Sequence, residues 1–164
     1  MDTSSIPDLA QGGPMDPAMR ERVQRVSGAA IFAVAKLDKL QAAPNIGSQG
    51  DWLERRFGDA GGSIKWLTVS AQPQNDSIKV HIAGECDGAW SATQLGLVLD
   101  GAHLMARQSL KDPSTRRQMS PQQFAMFEHI VQHAAITREG RTVHVRVELT
   151  TAVLDAVASP PGPR

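Results

Sequence analysis

The chain has 164 residues, 41% hydrophobic and 21% charged, with 17 basic side chains balancing 17 acidic ones. That length suits one domain burying roughly two-thirds of its unfolded surface, and the neutral balance removes the basic footprint that nucleic acid or an anionic membrane requires. A single cysteine, Cys86, excludes an intrachain disulfide framework and any CxxC metal or redox motif, and no apolar run reaches the ~18–20 residues of a membrane span.

Residues 1–15 are polar, carry Pro7 and Gly12-Gly13-Pro14, and lack the basic and apolar regions of a signal peptide. They are expected to be a disordered leader to a single α+β domain over residues 16–158, with residues 159–164 as a disordered tail. The expected compartment is the cytoplasm, or an extracytoplasmic one if the chain is a processed piece of an exported protein. Asp16-Pro17 pairs an N-cap with proline at the first helical position, and Met19, Val23 and Val26 follow at helical spacing, so a helix is predicted over 17–27.

The segment 29–37, AAIFAVAKL, has two readings. As a strand it is apolar on both faces and suits a central position. As a helix it extends the first one, because Met19, Val23, Val26, Ala30, Ala33, Leu37 and Leu40 keep a heptad-like spacing. Periodicity alone does not separate these for so short a run; Gly28 and the cluster Ile31, Phe32, Val34 favour the strand. Pro44-Asn45-Ile46-Gly47 is a break, and Asp51 caps a short helix carrying Trp52, Leu53 and Phe57 that ends at Asp59-Ala60-Gly61-Gly62.

Two strands follow, over 63–71 and 76–85, around a turn at Pro73-Gln74-Asn75-Asp76. In the second, Ile78, Val80 and Ile82 alternate with Lys79 and His81, giving one buried and one wetter face. From Ala89 to about Leu110 the chain reads as about six turns of helix. Ala92, Leu95, Val98, Leu99, Ala102, Ala106 and Leu110 form one apolar face; Thr93, Gly96, Asp100, His103 and Arg107 form a polar strip; Trp90, Leu97 and Leu104 form a second apolar stripe. Lys111 to Gln118, with Pro113, reads as a loop. Ser120-Pro121 starts another helix with a core stripe of Phe124, Phe127, Val131 and Ala134. Gly140 then turns the chain into a strand over 142–149, and Thr150-Thr151 caps a last helix through Val157.

With 29–37 as a strand the order is β-α-β-β-α-β, a split-βαβ, ferredoxin-like pattern. It predicts a four-stranded antiparallel sheet with helices on one face, 29–37 and 76–85 central, 63–71 and 142–149 at the edges. With 29–37 helical, the alternative is a three-stranded sheet with a long N-terminal helix. The Glu85-Cys86-Asp87 triplet, which ends a strand and opens an apolar helix, and the stretch EGRTVHVRVELTTAVLDAV at 139–157 resemble uncharacterised bacterial proteins. Those are often extracytoplasmic and have a strand–helix repeat built on such a sheet. The resemblance implies a fold and no activity.

The chemistry-bearing residues form few constellations. His129 and His133, at i and i+4, are the weak candidate for a metal pair; Glu128 precedes them, so the HExxH order is absent, and the wheel places both opposite the Phe124, Phe127, Val131 stripe. No metal or cofactor is expected. His81 and His144 share a sheet face, but the predicted strand order puts 29–37 between them. Cys86, at a strand end, reads as a buried inert thiol beside the opposing charge of Asp87. Phosphate-loop, dinucleotide and nucleophile-elbow motifs are absent; GDAGGS at 58–63 precedes a strand and reads as a turn. Within the predicted fold, an RNA-recognition module lacks its strand aromatics, and an acylphosphatase-like enzyme lacks its arginine loop.

What remains is a non-enzymatic protein-interaction or scaffold module, homodimeric, acting through Trp90, Leu97 and Leu104; the partner is a protein or a second copy, with no nucleic acid and no membrane insertion. Intrachain burial of that stripe against helix 120–134, or against Trp52 and Phe57, is the competing account. Edge strands 63–71 and 142–149 offer a second route to a partner. The alternative function is a small-ligand-binding or enzymatic α+β domain with its site between sheet and helices, which a pocket lined by His81, by His103, or by Glu85 with Asp87 would favour.

Overall fold

Asp16 and Pro17 start the first helix as their residue types require. The Asp16 carboxylate accepts the Ala18 N–H at 3.0 Å, and α1 runs Pro17–Val26. The computed structural model describes residues 15–37 and 59–158. The expected leader, the tail, and the break and short helix with Trp52, Leu53 and Phe57 lie outside them. After α1 come β1 (Ile31–Lys36), α2 (Asp59–Gly62), β2 (Ile64–Gln74), β3 (Ser77–Cys86), α3 (Ala89–Ser109), α4 (Pro113–Gln118), α5 (Pro121–His133), β4 (Ala135–Glu139), β5 (Thr142–Thr150) and α6 (Thr151–Ala158).

The chain is α+β, with a five-stranded sheet in the order β1-β2-β3-β5-β4, every pair antiparallel. This corrects the four-stranded, ferredoxin-like expectation. Segment 31–36 is a strand, so the long N-terminal helix does not form, but it lies at an edge beside β2 and not between β3 and β5. Its two apolar faces reflect no central burial: Ile31 and Phe32 are exposed. The unforeseen fifth strand, 135–139, follows from the tight turn at Gly140-Arg141. Gly140, at φ 57°, takes the left-handed conformation that a two-residue hairpin needs, so Glu139 pairs with Thr142. The β2–β3 hairpin closes the same way through Asn75 at φ 51°. Strands 64–74 and 142–150, expected at the edges, are both interior.

Register gives the sheet two unlike faces. One cross-strand row reads Ala33, Val69, Ile82, Val145, Ile136. The core sits at one end of this apolar face, where Ile64, Cys86 and Val143 meet Ala92 and Leu95 of α3, with Leu99 and Ile136 packed around them. The opposite face carries the rows Lys36, Trp66, Glu85, Thr142, Glu139 and Val34, Thr68, Ala83, His144, Thr137. Helices were expected on one face only, but α1 lies over this second face, tied there by Arg22 to Glu85.

Helix α3 is also turned relative to expectation. Ala92 and Leu95 are buried as predicted, but so is Gly96 from the predicted polar strip; a Cβ there would run into the Arg138 side chain of β4. His103, from the same strip, donates from Nε2 to the Val131 carbonyl at 2.6 Å, satisfying one of the free carbonyls in the last turn of α5. Val98 and Ala102, predicted for the core, are exposed. The loop predicted over 111–118 contains α4, because Asp112 accepts from the Ser114 N–H and hydroxyl and Pro113 occupies the first helical position. Ser120 and Gln123 cap α5 reciprocally.

Candidate functional site

The polar face of the sheet gathers its charges around one carboxylate. Glu85, near the end of β3, receives Arg22 through two parallel bonds, Nε to Oε1 at 2.9 Å and Nη2 to Oε2 at 2.6 Å. Both side chains are largely buried, at 9% and 13% exposure. The third nitrogen of Arg22 donates to the Ala18 carbonyl at 2.8 Å, and its guanidinium lies 4.2 Å from the centre of the Trp66 ring. Each nitrogen of this buried cation therefore has an acceptor, as burial of a charge requires. Two further arginines approach the same carboxylate at longer range: Arg25 Nη1 at 3.9 Å from Oε1, and Arg141 Nη2 at 3.7 Å from Oε2.

One row along, His81 and His144 meet. Because β3 pairs directly with β5, Ala83 stands opposite His144 and His81 opposite Arg146, so the two histidines are diagonal neighbours. His81 Nε2 lies 3.0 Å from His144 Nδ1, with one ring donating and the other accepting according to tautomer, and the rings stack at 5.1 Å. His144 Nε2 is 3.9 Å from the Glu139 carboxylate. Burial pushes the His81 imidazole below its ordinary value, helped by the neighbouring His144 and Arg146.

Between α1 and these rows is a pocket of about 400 Å³, within the range of small-molecule sites. Thr68 and Ala83 line its floor, the histidine pair lines one wall, and Arg22 with Glu85 lines the other. His81 also borders a neighbouring hollow of about 430 Å³ with Lys79, Arg146 and Glu148. The sequence named His81 and Glu85 for such a pocket, and both line it. It missed Arg22, Arg25 and His144 as members, because strand order and the placement of α1 bring them in.

The other expected candidates lie elsewhere. His103 is engaged with α5, and Asp87 accepts from the Ser91 hydroxyl on the exterior. Cys86 is buried, and burial pushes its thiol up, with the adjacent Asp87 adding to the effect and a hydrogen bond with Ser63 opposing it. His129 and His133 stack at 4.3 Å, but each commits a ring N–H to a carbonyl: His129 Nε2 to Glu148 and His133 Nδ1 to His129. Among the described residues no group of three or more His, Cys, Asp or Glu side chains is placed to hold a metal ion. Nor is any described helix long and apolar enough to cross a membrane.

The stripe Trp90, Leu97, Leu104 stands on the outer side of α3 at 73%, 61% and 59% exposure, joined by exposed Met105 and Val98. Helix α5 meets α3 from another side, through His103, so the predicted burial of the stripe under helix 120–134 does not occur. Trp52 and Phe57, its other predicted cover, lie outside the described residues. Comparison with protein-family models, with curated proteins and with solved structures finds no match to this chain.

Proposed function

We propose that this chain is a non-enzymatic interaction module that pairs with a second copy of itself through the outer face of α3. The observation that carries the reading is the exposure of Trp90, Leu97 and Leu104 along one line of that helix. With Val98 and Met105 they form a contiguous apolar surface on the order of 600 Å², at the upper end for a monomer's largest patch. Two such surfaces pressed together cover an area on the order of 1,200 Å², inside the range of stable specific interfaces. Self-pairing also suits the rest of the helix. Asp100 and Arg107 are exposed, seven residues apart on one flank of the stripe. That flank gives the stripe the polar rim that a self-pairing surface carries. Gly101, exposed with open space above it, lets a second helix approach closely at the centre.

Light scattering of the full chain at about 50 µM, where association of micromolar strength is visible, tests this. The expected result is a dimer that Leu97→Asp converts to a folded monomer. A strict monomer at that concentration sinks the reading. A dimer indifferent to Leu97→Asp sinks it too, because the interface would then lie elsewhere. A second reading, a small-ligand-binding domain with its site between sheet and helices, is favoured by the pocket that joins His81, His144 and Glu85.

A further inference from the structure

We infer that the hollow on the polar face of the sheet, on the far side of His81 from Glu85, binds a small polar molecule bearing one oxyanion, a carboxylate or a phosphate, held between Lys79 of β3 and Arg146 of β5. This hollow, about 430 Å³ in volume, is the neighbour of the pocket beside Glu85, and the two share His81. It is a second site, separate from the pocket on which the ligand-binding reading stands and from the outer face of α3.

Register sets six side chains in two short rows on this face. Ser70, His81 and Arg146 stand opposite one another across β2, β3 and β5; two residues along, Gln72, Lys79 and Glu148 do the same. Lys79 and Arg146 are therefore diagonal neighbours, and side chains of their length reach one ligand together. The one carboxylate in the lining turns away from Arg146. Glu148 accepts from the Ser77 hydroxyl at 2.6 Å, and Ser77 lies two residues before Lys79, on the opposite side of Glu148 from Arg146. Among the described residues, neither Lys79 nor Arg146 makes a hydrogen bond or an ion pair.

The lining sets the charge and chemistry of the ligand. With the imidazoles neutral, it holds two cations and one carboxylate, an excess of one positive charge. A single anionic group cancels that excess and a polyphosphate overshoots it. Arg146 offers a planar fork matched to two oxygens of a carboxylate or phosphate, and Lys79 a flexible point charge that follows it. The Ser70 hydroxyl, the Gln72 amide and the His81 ring are groups that bond a ligand's hydroxyl or carbonyl. On the other flank Arg146 stands opposite Ala135, so no bulky side chain from that position of β4 covers its guanidinium.

The test titrates the full-length chain with inorganic phosphate and, separately, with glycolate, at constant pH and ionic strength, following the His81 ring protons and the backbone amides of Ser70 and Gln72 by NMR. The expected result is a saturable shift of all three with at least one probe; which probe gives it tells phosphate chemistry from carboxylate chemistry. Lys79→Gln and Arg146→Gln should each weaken binding about threefold to fivefold, the contribution of one exposed charge pair. Arg25→Gln, in the pocket beside Glu85, and Arg117→Gln on α4 should leave it unchanged. Lys79 and Arg146 are both exposed, so the double variant keeps its fold, which its melting temperature checks. No saturable shift with either probe up to about 20 mM, a concentration that reveals even millimolar affinity, overturns the inference. So does a shift undiminished in the Lys79→Gln, Arg146→Gln chain, which would mean an adventitious ion only. A loss of binding in Arg25→Gln equal to that in Arg146→Gln overturns it as well, because the ion would then sit in the pocket beside Glu85.

Discussion

The two faces of the sheet are made by the same five strands and the same register, yet they behave differently. The apolar face is simple in composition: Ala33, Val69, Ile82, Val145 and Ile136 follow one another across the strands, and α3 covers one end of it through Ala92 and Leu95. The polar face is held to α1 by a charge pair and an aromatic ring, and it leaves a pocket. Contact on the first face is non-directional and scales with area. Contact on the second depends on a few directed bonds, and a polar surface that is only partly spanned by a short helix leaves donors and acceptors for a ligand. Breaking each face separately should therefore give different signatures.

The largest effect is expected on the apolar face. Leu95 is 3% exposed in the core cluster. Leu95→Ala removes its buried methyl groups and leaves a cavity, at a cost of about 3 kcal/mol. Urea unfolding followed by circular dichroism measures it as a lower midpoint at unchanged slope. The histidine ring signals of the folded variant should stay where they are, since the pocket lies across the sheet. Movement of the His81–His144 resonances in Leu95→Ala would mean that the two faces are coupled.

A smaller loss, about 2 kcal/mol, is expected from Glu85→Ala on the polar face, where Arg22 loses a bidentate partner but keeps Trp66 and Ala18. The full penalty of an orphaned buried charge is not reached, because the pocket beside Arg22 admits water. Adding Arg22→Ala to Glu85→Ala should cost less than the two single losses together, since one interaction cannot be lost twice. Strict additivity in the urea midpoints would show that the pair does not hold α1 to the sheet.

These two residues also mark how far the sequence could be read. Leu95 was legible: helical periodicity put it on the core face of α3, as alternation put Ile82 and Val145 on one face of the sheet. Glu85 was legible as a candidate, but its partner was not. Arg22 lies 63 positions away on a helix whose docking face no local pattern reveals. The His81–His144 contact was missed for a related reason. Both histidines were placed on one face, but the ferredoxin-like order set a strand between them, and only the direct β3–β5 pairing brings them to 3.0 Å. The fifth strand was missed because Ala134 and Ala135 continue the apolar pattern of α5 until Gly140 reverses the chain. On α3 the wheel found the core face but not its exact rotation: Ala92 and Leu95 are buried, while burial extends to Gly96 and leaves Val98 and Ala102 exposed. Gly96 and His103 read as polar, yet the small volume of one and the ring N–H of the other are what let Arg138 and the end of α5 pack there.

The smallest expected effect belongs to His81 and is read as a pH dependence. Its folded pKa lies below the ordinary value of 6.5, first because burial disfavours the imidazolium, then because His144 and Arg146 of the adjoining strand face it. Lys79, on the same face of β3, and Arg25, across the pocket, add positive charge around it, while Glu139 faces His144 instead. In the unfolded chain the group takes up its proton at the ordinary value. Above that value both states are neutral and the group costs nothing. As pH falls below it, the unfolded state binds the proton first, so stability decreases with falling pH until the lowered folded pKa is reached. The melting temperature should therefore fall more between about pH 7.5 and about pH 5.5 in the natural chain than in His81→Gln, which removes this group while keeping a hydrogen-bonding side chain beside His144. Equal falls would mean that His81 is solvated, and the polar face would then be no more enclosed than the outer surface of α3.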